Sequence, residues 1–275
     1  SSNDIISRKS QPIVRISIGI YDRTKFLFSD QMIFKIAPLI FTPNCLPADT
    51  IYLSEMPGTQ NTLTFIKDVT DILKNENQKY VIIKNDNISM YHRWMQDILR
   101  FCYVTDGHNT SYIVLKGPRF TMHSVKNGNI SYIYDYFKDY PLYEFFHEKD
   151  KNLDAFGNVQ IIPPIYPKYP FGRIIYGYSD GIQENMSYNL VDLLESQQIQ
   201  KPVKVNTGWL AVGHVDEILS FVPDPKHHMG FRILIASPRK FYQLISHLPP
   251  ETVIFDNSDN YYIFNTISND IKRRF

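Results

Sequence analysis

With 275 residues, 43% hydrophobic and 21% charged, the chain has the composition of a soluble globular protein with enough apolar surface for a substantial core. Its net charge of +1 gives no basic bias toward nucleic acid, and no apolar run has the length of a membrane span. Two cysteines, Cys45 and Cys102, supply neither a disulfide framework nor metal-ligand spacing, which points to a reducing, cytoplasmic setting.

Residues 1–12 read as a polar lead-in, and the opening Ser1-Ser-Asn-Asp4 without Met reads as a processed or trimmed start. The 19 Tyr and 18 Phe favour strands, and strand-like runs occupy Ile13–Ile20 and Met32–Phe41. From Asn61 to Asn75, Leu63, Ile66, Val69, Ile72 and Leu73 recur at helical spacing. A strand at Tyr80–Lys84 precedes Arg93-Trp-Met-Gln-Asp97, a run Ile98–Val104 and a strand Tyr112–Leu115 that ends in Gly117-Pro-Arg119. Residues 120–150 read as a long loop and Ile161–Pro170 as a Pro-rich link. A strand at Arg173–Tyr176, a helix at Asn185–Gln198 and a strand at Val203–Val205 follow. Strands at Ile218–Val222 and Phe231–Ala236 then end in Ser237-Pro-Arg239.

The second half repeats the order of the first. Asp97-Ile-Leu-Arg-Phe101 parallels Asp216-Glu-Ile-Leu-Ser-Phe221, and Gly117-Pro-Arg119 parallels Ser237-Pro-Arg239. His214 stands two residues before Asp216, and in an extended segment the two point to the same side. A polar pair at a strand start satisfies that pattern, and so does a pocket. The repeat favours a pocket, because two carboxylates at equivalent places are costly together unless they hold a cation. Such a pair suits a planar guanidinium, and a histidine beside it can exchange protons with a leaving amine. Glycoside hydrolysis is the competing use of two carboxylates.

Several segments give the chain a family resemblance: Phe34-Lys-Ile-Ala-Pro-Leu-Ile-Phe-Thr-Pro-Asn44, Trp94-Met-Gln-Asp97, Leu153-Asp-Ala-Phe-Gly-Asn158, Tyr169-Pro-Phe-Gly-Arg-Ile174, Pro202-Val-Lys204, Gly213-His-Val-Asp-Glu-Ile-Leu-Ser-Phe-Val-Pro223 and Phe231-Arg-Ile-Leu-Ile-Ala-Ser-Pro-Arg239. In them it resembles the catalytic domain of the protein-arginine deiminases, within the guanidine-modifying superfamily with the pentein fold. The resemblance implies an α/β propeller of ββαβ modules. It also implies hydrolysis of peptidyl-arginine to peptidyl-citrulline and ammonia, on protein substrates with exposed arginine. By matching motif, Asp97 and Asp216 bind the guanidinium, His214 transfers the proton, Trp94 walls the side-chain channel and Arg119 holds the substrate backbone. The family's second arginine, two residues beyond Arg119, is Thr121 here.

Two departures qualify the expectation. The family's nucleophilic cysteine lies near its C-terminus, whereas no cysteine follows Cys102, and Cys45 and Cys102 read as small buried thiols. The chain is therefore expected to be an incomplete propeller lacking its last module, with residues 1–30 a lead-in and first strand, a possible remnant of a preceding domain, and 31–275 the catalytic part. Its alternatives are a catalytically dead arginine-binding or interaction module and a small-molecule guanidine enzyme. The open flank predicts self-association. The resemblance also implies calcium as cofactor, but its acidic ligand positions read Ile98, Arg100, Gln160 and Lys116-Gly117, so no metal or other cofactor is expected.

Overall fold

The structure, a computed structural model, describes residues 13–35, 39–55, 60–84, 94–105, 108–117, 136–137, 139–144, 152–180 and 185–249. The chain divides into two compact units, Ser1–Ile233 and Leu234–Phe275.

In the first unit, β1 (Ile13–Asp22) and β2 (Lys25–Lys35) form an antiparallel hairpin. Cross-strand partners share a face, so Ile16 and Ile20 stand with Met32 and Phe28, and Val14 stands with Phe34. All six are about half exposed. The expected strand at Met32–Phe41 is thus two elements, since Ile40–Phe41 forms a separate short β3.

β4 (Ile51–Ser54) and β5 (Tyr80–Ile83) pair in parallel around helix α1 (Gln60–Asn75). Ile66, Thr70 and Leu73 are the buried stripe of α1, while Leu63 and Ile72 are exposed, so its apolar pattern overstates what it buries. A single helical turn, α2 (Met95–Ile98), runs into the antiparallel pair β6 (Leu99–Thr105) and β7 (Thr110–Lys116). β3 joins the open edge of β6, and β8 (Leu142–Glu144) pairs in parallel with β7. The segment read as an unbroken loop over 120–150 therefore carries a strand.

Short 3-10 turns at Asn152–Asp154 and Phe156–Asn158 lead into β9 (Val159–Ile162), which pairs with β10 (Arg173–Tyr178). The front of the Pro-rich link is thus a strand, and an isolated bridge joins Ile165 to Tyr169. Helix α3 (Tyr188–Glu195) is shorter than predicted and buries Leu190, Leu193 and Leu194. β11 (Val203–Asn206) pairs in parallel with β10. A 3-10 turn at Val215–Glu217 precedes β12 (Leu219–Pro223) and β13 (Phe231–Ile235), which pair together.

The repeat read in the sequence is therefore structural. A parallel strand–helix–strand unit, a short helical turn and a strand pair occur twice, in a sheet-rich α/β fold. One core joins the two copies, with Cys102 and Leu115 from the first packing in the same cluster as Tyr176 and Leu190 from the second. In the second unit, the Ser237-Pro-Arg239 stretch that follows the strand also opens a helix. Ser237 caps α4 (Pro238–Ile245) by accepting from the Lys240 N–H at 3.2 Å. No helix among the described residues is long and apolar enough to cross a membrane.

Candidate functional site

Both aspartates sit on the short helical turn that precedes a strand, Asp97 in α2 and Asp216 in the Val215–Glu217 turn. The extended geometry expected for His214 and Asp216 holds only for His214, whose φ and ψ are −91° and 147°. The next three residues close a 3-10 turn, with the Glu217 N–H donating to the His214 carbonyl at 3.3 Å. Glu217 fixes the turn from the other side, its Oε1 accepting from the His214 N–H at 2.8 Å. Gly213 enters the turn at a φ of 91°, where a side chain would be strained.

Asp97 and His214 are buried, with His214 Nδ1 lying 3.8 Å from Asp97 Oδ1. Asp216 joins them across Gly157. A methyl group on Gly157 would stand 2.6 Å from Asp97 Oδ1, 2.7 Å from Asp216 Oδ2 and 3.0 Å from His214 Nδ1. The three acid–base groups therefore surround one glycine, and no side chain fits between them. The Gly157 N–H donates to Asp97 Oδ1 at 3.0 Å, orienting the carboxylate as well as making room for it.

Asn158, fully buried, holds this loop in place. Its Nδ2 donates to the carbonyls of Leu153 and Gly177 at 2.9 and 3.0 Å. Its Oδ1 accepts from the N–H groups of Gly177 and Val215 at 3.0 and 3.2 Å. One amide thus links the Gly157 turn, β10 and the His214–Asp216 turn. Gly157 and Asn158 had no role in the sequence reading. The available signal was their place in the Phe156-Gly-Asn158 motif, where a glycine beside a strand marks close backbone approach.

The electrostatics match two acids sharing a site. Loss of hydration pushes the Asp216 pKa up to about 6; His214 opposes the rise and the Asp97 carboxylate adds to it. Asp216 as a whole stays exposed, so water screens part of the effect and its direction carries the argument. A cation between the carboxylates would relieve the repulsion.

Of the other predicted residues, Trp94 precedes α2 and is half exposed, its carbonyl accepting from the Asp97 N–H at 3.2 Å. Arg119, like Thr121, lies outside the described residues. Cys102 is buried in β6, where burial pushes its thiol far up, and burial raises the Cys45 thiol too. Cys102 has the Arg100 cation nearby but is sealed from solvent, and Cys45 is partly exposed with burial its one influence, so neither combines the charge and the access that activate a thiolate.

The family model for protein-arginine deiminase (PAD) matches residues 26–254. The mouse protein-arginine deiminase type-4 (Mus musculus) is 32% identical over 255 residues, covering 86% of this chain and 36% of the relative. The human (Homo sapiens) type-1 protein is 31% identical over 258 residues, with 87% and 37% covered. The human type-3 protein is 32% identical over 235 residues, with 79% and 32% covered. The chain thus spans about a third of the length of these relatives.

Proposed function

The chain belongs to the protein-arginine deiminase family, and we propose that Asp97, Asp216 and His214 are the guanidinium-gripping and proton-transfer part of a site that converts peptidyl-arginine to peptidyl-citrulline and ammonia. The observation that carries this reading is the convergence of all three side chains on Gly157. The two carboxylates take the edges of a planar guanidinium. His214 gives a proton to the departing amine. Trp94 and Arg119 hold the arginine side chain and the substrate backbone.

Attack on the guanidinium carbon requires a thiolate. Neither Cys45 nor Cys102 has the environment for one, so the part proposed for this chain is the grip on the guanidinium and the proton transfer. The repeated module order supports a pentein-type propeller. The substrates are proteins with exposed arginine, in the cytoplasm. The raised thiols favour one second reading, an arginine-binding module without chemistry of its own.

Calorimetric titration with N-benzoyl-L-arginine amide and its citrulline counterpart tests the pocket. The arginine compound should bind and the citrulline compound should not, since a neutral ureido group cannot balance two carboxylates. Asp97→Ala and Asp216→Ala should each weaken binding by about 30-fold or more. Equal binding of the two compounds, or unchanged affinity in both variants, would refute the assignment.

A further inference from the structure

Arg100 lies on β6 with only 5% of its surface exposed. Its Nη2 donates to the Thr42 carbonyl at 3.0 Å, and its Nε has no partner among the described residues. Burial draws the guanidinium pKa down, and the one opposing influence is Cys102. A buried cation so thinly partnered is expensive to keep, and an aliphatic side chain would fill the same strand position at less cost. Packing alone therefore does not account for it.

What Arg100 touches suggests the reason. The segment after β3 is fastened to β6 twice, by Arg100 on the Thr42 carbonyl and by Thr42 Oγ1 donating to the Phe101 carbonyl at 3.0 Å. It is fastened to β9 by Asn44 Nδ2, which donates to Oε1 of the buried Gln160 at 3.1 Å. β6 follows directly on the turn that carries Asp97, and β9 directly on the turn that carries Gly157. Gly157 in turn donates to Asp97. These bonds and the chain between them form a closed circuit around the Asp97 carboxylate. A cavity of about 230 Å³, lined by Thr42, Asn44, Gln96 and Arg100 among others, adjoins the circuit.

By the family resemblance, Arg100 and Gln160 stand where carboxylate ligands of calcium are expected. The residues present do not fit that ion, because calcium takes oxygen ligands, largely carboxylates, and a buried guanidinium at the same place repels it. We propose that Arg100 and Gln160 are positioning residues that hold Asp97 in register through their hydrogen bonds to the Thr42 carbonyl and the Asn44 amide, so that arginine binding here is independent of calcium. The substrate part of this inference rests on the guanidinium pocket proposed above; the hydrogen-bonded circuit does not.

The test uses the whole chain, with N-benzoyl-L-arginine amide titrated in chelator and in excess calcium. Hydrogen–deuterium exchange at the Gly157 amide is followed in parallel. The wild type should bind equally in both buffers, with identical Gly157 exchange. Arg100→Met should weaken binding by about tenfold and speed Gly157 exchange, and Arg100→Lys, which keeps a cationic donor, should recover part of both. Gln160→Leu provides the same reading from the β9 side if Arg100→Met fails to fold. Tighter wild-type binding or slower Gly157 exchange in calcium would overturn the proposal, as would wild-type behaviour in Arg100→Met or Gln160→Leu. If the wild type binds the probe in neither buffer, the guanidinium pocket fails while Gly157 exchange still decides the circuit.

Discussion

The Gly157 N–H donates to Asp97 Oδ1 at 3.0 Å across 60 positions of sequence, and the missing side chain of Gly157 is the space around which the site is built. Gly157→Ala should therefore displace Asp97, Asp216 and His214 together. Gly157 does not adopt a left-handed φ, so the penalty is steric crowding, about 1–3 kcal/mol of stability. Arginine-amide affinity should fall further than the loss of any one hydrogen bond would explain. Calorimetry and thermal unfolding of the variant check this, and wild-type affinity in a folded Gly157→Ala protein would refute it.

The sequence exposed the pairing of Asp97 with Asp216 because each is followed by Ile-Leu-x-Phe, or by that run one residue later, and a strand pattern survives repetition. It did not expose Gly157, which has no side chain to leave a pattern; its importance lies in atoms contributed from positions 97, 214 and 216. The His214–Asp216 prediction reached the right neighbours by the wrong geometry, since the 3-10 turn depends on Glu217 reaching back to the His214 N–H. β8 and β9 were missed for a related reason. Three- and four-residue strands are defined by their partners, β7 and β10, more than by their own composition.

If the proposed pocket holds a guanidinium, Asp216 makes that binding depend on pH. Its folded-state pKa, about 6, lies above the ordinary 3.8. Bound guanidinium favours the ionised form, so affinity should rise as pH climbs through about 6 and then level off. Proton release on binding should be largest below that pH and fall away as pH rises past it, read from calorimetry in buffers of different ionisation enthalpy. The sign for the unliganded protein is opposite. A raised acid stabilises the fold below 3.8, and that contribution is lost as pH rises through about 6. Asp216→Asn should consequently be more stable than the wild type at neutral pH, with the advantage gone in acid. Affinity that does not vary with pH would exclude this coupling.

Asn158 makes four hydrogen bonds while fully buried. Asn158→Leu strands two carbonyls and two N–H groups and should cost about 3 kcal/mol or more. The midpoint of urea unfolding should fall accordingly, and arginine affinity should fall with it because Val215, between His214 and Asp216, loses its anchor. A loss of stability with unchanged affinity in the folded population would show that Asn158 supports the fold alone.

The β1–β2 hairpin presents a face on which Ile16, Ile20, Phe28, Met32 and Phe34 are each about half exposed. An isolated two-stranded sheet is marginal in water, and an exposed face this rich in apolar side chains, broken only by Asp30 opposite Ile18, draws a partner. The chain should therefore self-associate with rising concentration, as seen by sedimentation velocity. Ile16→Lys with Phe28→Lys places two cations on that face and should shift the population toward monomer. The proposed guanidinium pocket, built from other elements, should bind arginine amide unchanged in the same variant. A wild-type chain that sediments as a monomer throughout would show that this face does not drive association, whatever covers it in a longer protein.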